Sequence, residues 1–312
     1  MKLMEALLSE AKARPKALIM AGGAGTGKTH MVNTLKKAGA IPEDITIFNP
    51  DQYVEDKKSP AYNNLSMATS MTDKAASDHA YEGEPFVWDT TANNPDKTVN
   101  DIRAKGYDVM MIMMITHPAI SLLKNFERER NIPKIAVFDT WMRSFELINY
   151  YHKLLKDNFV IVPNMMGGTY DAEVRKFNHA AKRGGEGILE YIDSLGELKS
   201  SFRKDFEIED EAALVAYQEL VKPLRLDDSD EDMTKNLKKH FMATWEKKGQ
   251  GPTFDSMKKK VASIERNRDS AEKKYKEVLD RIAKVINSDQ YDLVTKGTTD
   301  AQVISKTKKF FA

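Results

Sequence analysis

Within residues 1–165, five short and nearly continuous apolar runs stand out: Ala17–Ala21, Ile45–Asn49, Pro85–Asp89, Tyr107–Ile115 and Asn158–Pro163. A strand buried on both faces loses the in–out alternation of a half-exposed strand and becomes apolar throughout. Between these runs lie stretches with apolar residues at helical spacing: Lys28–Lys37, Ser66–Ala80, Pro95–Lys105, Pro118–Arg130 and Thr140–Lys156. Pro95 and Pro118 suit a helix N-terminus, where the missing N–H costs nothing. Alternating strand and helix predicts an α/β fold with a parallel sheet.

The pattern then changes. Gly167, Gly168, Gly184, Gly185 and Gly187 punctuate a polar region that reads as loop plus helix. Beyond Leu198 no buried strand is expected. Helices are predicted at Asp210–Val221, Ser229–Lys248, Phe254–Ile286 and Thr299–Phe311, with breaks at Pro223 and Gly249–Pro252. In the third, Met257, Val261, Ile264, Ala271, Tyr275, Val278, Ile282 and Val285 recur in steps of three and four, a seam interrupted by Arg268. Glu277–Arg281 and Asp280–Lys284 add i,i+4 pairs. Such a helix packs on its own domain, or forms a hairpin or dimer arm. The expected organisation is a sheet domain over 1–195 and an all-helical C-terminal domain over 196–312.

Composition excludes some chemistry. The 312 residues are 41% hydrophobic, enough for a sizeable core, and carry a net charge of +1. There is no cysteine, hence no thiolate chemistry and no Cys-based zinc site. The six histidines, His30, His79, His117, His152, His179 and His240, show no paired-ligand spacing and read as structural or surface residues. Met110, Met111, Met113 and Met114 read as core filler. Met1–Ala13 lacks a signal peptide's apolar core, and Val109–Ile115 is too short to span a bilayer, so a soluble cytoplasmic protein is expected, in the host cytoplasm if phage-encoded. Charge is segregated. Residues 233–312 hold 19 Lys/Arg against 10 Asp/Glu, and residues 197–232 hold 5 against 12. The basic part is either a solvated helix face or a surface for nucleic acid.

The chemistry centres on Gly22-Gly23-Ala24-Gly25-Thr26-Gly27-Lys28-Thr29, which fits G-x-x-x-x-G-K-[ST] between an apolar run and a helix. Its glycines let backbone N–H groups turn inward around phosphate oxygens, and the helix N-terminus adds a favourable dipole. Lys28 suits the β- and γ-phosphates, and the Thr29 hydroxyl suits Mg²⁺. His30 follows directly and could approach the nucleotide, packing along the helix being the plainer alternative. ATP or another NTP with Mg²⁺ is therefore the expected cofactor set.

Further residues narrow the reaction. Asp51, in Phe48-Asn49-Pro50-Asp51-Gln52-Tyr53, follows the second strand, where an aspartate faces the ligand crevice and can take a proton from an attacking hydroxyl. It could equally cap a turn. In Phe86-Val87-Trp88-Asp89-Thr90-Thr91-Ala92-Asn93, Asp89 sits as a second Mg²⁺ ligand would, and Thr90, Thr91 and Asn93 are small hydrogen-bonding groups suited to substrate. Arg128, Arg130 and Arg143 are candidates to neutralise charge on the phosphate in transfer; salt bridges with Glu127 or Glu129 are the plainer alternative.

Together these segments resemble the P-loop kinases that include polynucleotide 5′-hydroxyl kinases, zeta toxins and related phage kinases. The resemblance covers residues 15–165 and rests on Gly22–Thr29, Asn49–Tyr53, Trp88–Asn93 and Arg128–Pro133. It implies five parallel strands with the loop strand central, Asp51 as general base, and Arg128 and Arg130 as a lid over the phosphates. The family commonly carries an arginine just after the base; here Gln52-Tyr53-Val54-Glu55 follows instead. The expected activity is transfer of the γ-phosphate to a hydroxyl on a nucleic acid (a 5′ end or hydroxymethylated base) or a nucleotide-like small molecule. An ATPase acting on a protein or DNA partner through the C-terminal helices is the alternative, and so is a binding module that uses nucleotide only structurally. Asp89 is followed by Thr90 rather than by a glutamate that would activate water, which favours the kinase.

Overall fold

The computed structural model describes residues 14–23, 25–62, 65–127, 134–164, 168–195, 273–296 and 298–312. Five strands form one parallel sheet: β1 (Lys16–Ala21), β2 (Thr46–Phe48), β3 (Phe86–Thr90), β4 (Asp108–Ile115) and β5 (Phe159–Pro163). Their order is β2-β3-β1-β4-β5, so the strand leading into the glycine loop is central. All five lie where the apolar runs predict, within a residue or two.

The strands are buried on both faces, and alternate residues feed two cores. Ile19, Trp88, Met111 and Met113 face one; Leu18, Met20, Val87, Met110 and Met114 face the other. The methionines are thus core filler, two to each face. Helix α1 (Lys28–Lys37) covers the second face with Met31, Val32 and Leu35. Then come α2 (Pro50–Glu55), unforeseen in the sequence, and α3 (Leu65–His79). Pro95 opens a π-helical turn (Asp96–Asn100) that runs into α4 (Asp101–Ala104). Helix α5 (Pro118–Phe126) follows β4.

The helix expected at Thr140–Lys156 is instead two: α6 (Lys134–Glu146) and α7 (Ile148–Leu155), separated at Leu147. No proline or glycine marks that break. The glycine-punctuated stretch holds two helices, α8 (Asp171–Ala181) and α9 (Gly184–Ser194). Gly168 lies in a turn, whereas Gly185 and Gly187 serve close packing. A Cβ on Gly187 would strike the Ala180 carbonyl, and one on Gly185 would strike the Asp280 backbone.

Beyond residue 196 the described residues are helical or connecting: α10 (273–286), α11 (Asp289–Thr295) and α12 (Asp300–Phe311). The predicted helices Asp210–Val221 and Ser229–Lys248, and the seam residues before 273, lie outside the described residues. Tyr275, Val278 and Ile282 of the seam sit in the first core beside Phe138, Phe177 and Ile188. The two expected i,i+4 pairs give way to tertiary partners. Asp280 accepts the Gly185 N–H at 2.8 Å, and Arg281 pairs with Glu146. Helix α12, with a Thr299/Gln302 capping box, brings Val303 into the second core. Among the described residues no helix is long and apolar enough to cross a membrane.

Candidate active site

The glycine loop joins the C-terminal end of β1 to α1, at the edge of the sheet where ligands bind in open α/β folds. The loop is tightly enclosed. Gly22 has φ +140° and Gly27 φ +91°. A Cβ on Gly22 would meet the Met114 carbonyl, and one on Gly27 would strike Asn164 Nδ2. Backbone conformation and close approach thus each require glycine there. Within the loop the buried Thr26 hydroxyl donates to the Gly23 carbonyl at 2.9 Å.

Lys28 folds over the loop. Its ammonium donates to Gly22 O at 2.7 Å and Gly23 O at 3.1 Å, and lies 3.6 Å from Asp89 Oδ1. The two side chains are 15% and 9% exposed, so the pair is well shielded from water. Asp89 belongs to β3, next to β1 and in register with Met20. The sheet therefore places the carboxylate beside the lysine. Thr29 and His30 are exposed on the first turn of α1. A shielded carboxylate and the hydroxyl of Thr29, next along the chain from Lys28, are oxygen ligands of the kind a divalent cation takes. No cluster of three acidic or histidine ligands exists among the described residues.

Asp51 does not simply end a strand. Asn49 caps α2, its side chain accepting the Asp51 N–H at 2.9 Å, and Pro50 occupies the first turn. Asp51 is half-buried at that helix N-terminus. Its strand β2 stands two places from β1, about 10 Å at ordinary strand spacing. Strand β3 lies between them, and Asp51 and the loop both follow the C-terminal ends of their strands.

The β3 segment is held as a turn. The Ala92 N–H donates to Thr90 Oγ1 at 3.2 Å, and Ala92 adopts φ +52°, unusual without glycine. The buried Tyr151 hydroxyl, on α7, donates to the Ala92 carbonyl at 2.6 Å. Burial pushes that phenol well above its ordinary range. Thr91 is exposed, while Asn93 is half-buried, its Oδ1 enclosed and without a hydrogen-bond partner.

Arg128 and Arg130 lie outside the described residues. Glu127, just before them, is engaged by Lys124 at 2.7 Å and by the Tyr170 hydroxyl at 2.6 Å. Lys124 and then Tyr170 hold its carboxyl below the usual carboxylate range. Arg143, on α6, pairs one turn back with Asp139 at 2.9 Å. The same helix nevertheless reaches the loop, since a Cβ on Gly23 would touch Thr140 and Trp141.

Two supporting residues escape sequence reading. Asn164, immediately after β5, donates from Nδ2 to Thr26 O at 2.9 Å. His117, one of the histidines read as structural, is buried at the N-cap of α5. Its Nδ1 accepts the Ala119 N–H at 3.2 Å, so the ring proton sits on Nε2 and is given to Asn178 Oδ1 at 2.8 Å. Burial lowers its pKa to about 4. A polar residue at the end of a buried strand was the available signal for both.

Comparison with curated proteins returned no match. Among solved structures, similarity extends to a chain of the AvrRxo1-ORF1:-ORF2 complex, with 15% identity and TM-score 0.40, covering 52% of this chain and 63% of that one. It also extends to the PezAT chromosomal toxin–antitoxin system of Streptococcus pneumoniae (19% identity, TM-score 0.35, 53% and 74% covered). A gluconokinase from Sinorhizobium meliloti matches at 13% identity and TM-score 0.30, with 60% and 96% covered. The chain therefore spans less than two thirds of the first of these. The zeta-toxin family model matches residues 4–136, which include the phosphate loop, Asp51 and Asp89. Over that stretch, less than half of its length, the chain resembles a zeta toxin, and the match includes the phosphate-loop motif.

Proposed function

We propose that the protein is a kinase that transfers the γ-phosphate of ATP, or another NTP, to a hydroxyl of a nucleic acid or a nucleotide-like molecule. The observation that carries this is the placement of Asp51. Asp51 stands at a helix N-terminus after β2, on the same C-terminal side of the parallel sheet as the phosphate loop, which supports its reading as the base. A water-activating residue is instead lacking after Asp89, where Thr90 spends its hydroxyl on the Ala92 turn.

In the proposed reaction the acceptor oxygen forms a bond to the γ-phosphorus while the β–γ bridging bond breaks. The acceptor proton passes to Asp51, and the nucleoside diphosphate leaves with the bridging oxygen. Lys28 exchanges its loop carbonyls for phosphate oxygens and offsets their charge. Thr29 and Asp89 would hold Mg²⁺, which supplies charge neutralisation on the phosphates. Thr90, Thr91 and Asn93 line the acceptor side, the enclosed Asn93 Oδ1 suiting an acceptor N–H or O–H. Arg128, Arg130 and Arg143 are proposed to approach the phosphates on closure.

The test is transfer from γ-labelled ATP with Mg²⁺ to 5′-hydroxyl oligonucleotides, hydroxymethyl-base DNA and a nucleoside and nucleotide-sugar pool. Asp51→Asn should keep nucleotide binding and lower transfer by about 10²-fold or more. Transfer at the wild-type rate would remove Asp51 as base. Phosphate release alone, unchanged in Asp51→Asn, would favour the ATPase.

A further inference from the structure

The phosphate loop is held by a contact that none of its own residues supplies. Asn164 leaves the end of β5, the outermost strand, separated from β1 by β4. Its backbone is fixed first: Asn164 N–H donates to Ile115 O at 2.7 Å, and Thr116 Oγ1 donates to Asn164 O at 2.6 Å. Its side chain then crosses toward β1, and Nδ2 donates to Thr26 O at 2.9 Å, where a Gly27 Cβ would otherwise lie. Thr116 O in turn accepts Trp141 Nε1–H at 2.7 Å, and Trp141 rests against Gly23. The loop is therefore gripped at Thr26 by a strand end and backed at Gly23 by a helix, with Thr116 joining the two.

A glycine-rich loop pays a large conformational entropy on taking one shape. Phosphate binding needs its N–H groups aimed together beforehand, and the Thr26 carbonyl must point away from the anion. Asn164 does the latter by drawing that carbonyl toward β5. We propose that Asn164 is a positioning residue: it holds the loop in its phosphate-accepting shape by donating to Thr26 O, without itself touching nucleotide. This rests on the nucleotide-site reading above.

The test measures binding of the fluorescent analogue mant-ATP with Mg²⁺ to the full chain, with thermal melting alongside. Asn164→Asp keeps size and shape but replaces the donor with a carboxylate facing a carbonyl. Asn164→Ala removes the group. Each should weaken mant-ATP binding about tenfold, the loss of one buried hydrogen bond. Displacement by inorganic pyrophosphate, which carries only the phosphates the loop grips, should weaken in parallel. For Asn164→Asp the melting temperature should stay within a few degrees of wild type. If wild type binds and both variants bind within twofold of it, the positioning role is overturned while the nucleotide site stands. If wild type fails to bind mant-ATP, the nucleotide reading falls, and this proposal with it.

Discussion

At the residue scale, His117 shows how a single buried ring ties acid stability to the site. It is neutral when folded, accepting at Nδ1 and donating at Nε2. The unfolded chain takes up its proton near the ordinary value of 6.5, whereas the folded protein resists until about 4. The full stability is therefore present above pH 6.5 and drains away as pH falls toward 4, by about 3 kcal/mol in total. His117→Asn can still cap α5 but does not titrate. Urea midpoints at pH 7 and pH 4.5 should differ less in that variant than in wild type; an equal difference would assign the acid loss to other groups. Gly27 is the second single-residue test. Gly27→Ala must adopt φ +91° and displace Asn164, so mant-ATP binding should be lost. The loop itself was legible because phosphate chemistry fixes both residue type and spacing. His117 and Asn164 were not, because each matters only through a partner far along the chain: Asn178 for one, Thr26 for the other.

At the scale of elements, the β3 turn and helix α7 act as one device. Ala92 sits in a left-handed conformation that costs about 1 kcal/mol without glycine, and the Tyr151 hydroxyl holds it there. Ala92→Gly should raise the unfolding free energy in urea, and Tyr151→Phe should lower it by about 1 kcal/mol. In the double variant much of the Tyr151→Phe loss should return. Independent, additive effects would mean that the tyrosine does not restrain the turn. The strands were readable because burial on both faces makes them apolar throughout. Helix α2 was not, since six residues with one buried apolar side chain leave no periodicity. The break at Leu147 was hidden for the opposite reason: both flanking helices are apolar, and tertiary packing rather than a local breaker separates them.

At the scale of the whole molecule, the described C-terminal helices share the sheet domain's cores. Ile282→Ala should therefore destabilise the nucleotide-binding region itself, by about 2–5 kcal/mol. Fluorescence of Trp88 and Trp141, followed in a Trp245→Phe background, should show one transition shifted to lower urea. A second transition unmoved by Ile282→Ala would make α10 part of an independently folding unit. The seam in the sequence marked Tyr275, Val278 and Ile282 as buried; what they pack against was not legible, because periodicity names a face and not its partner.

Val303 of α12 lies in the same core as Leu18 and Met20, the residues leading into the phosphate loop. That core joins residues far apart in the sequence, and assembly over such separations is slow. During synthesis on the ribosome, β1 and α1 emerge early, whereas Val303, which shares their core, is made only after residue 300. A nascent chain halted before residue 300 would hold Leu18, Met20 and Leu35 in a core still lacking α12.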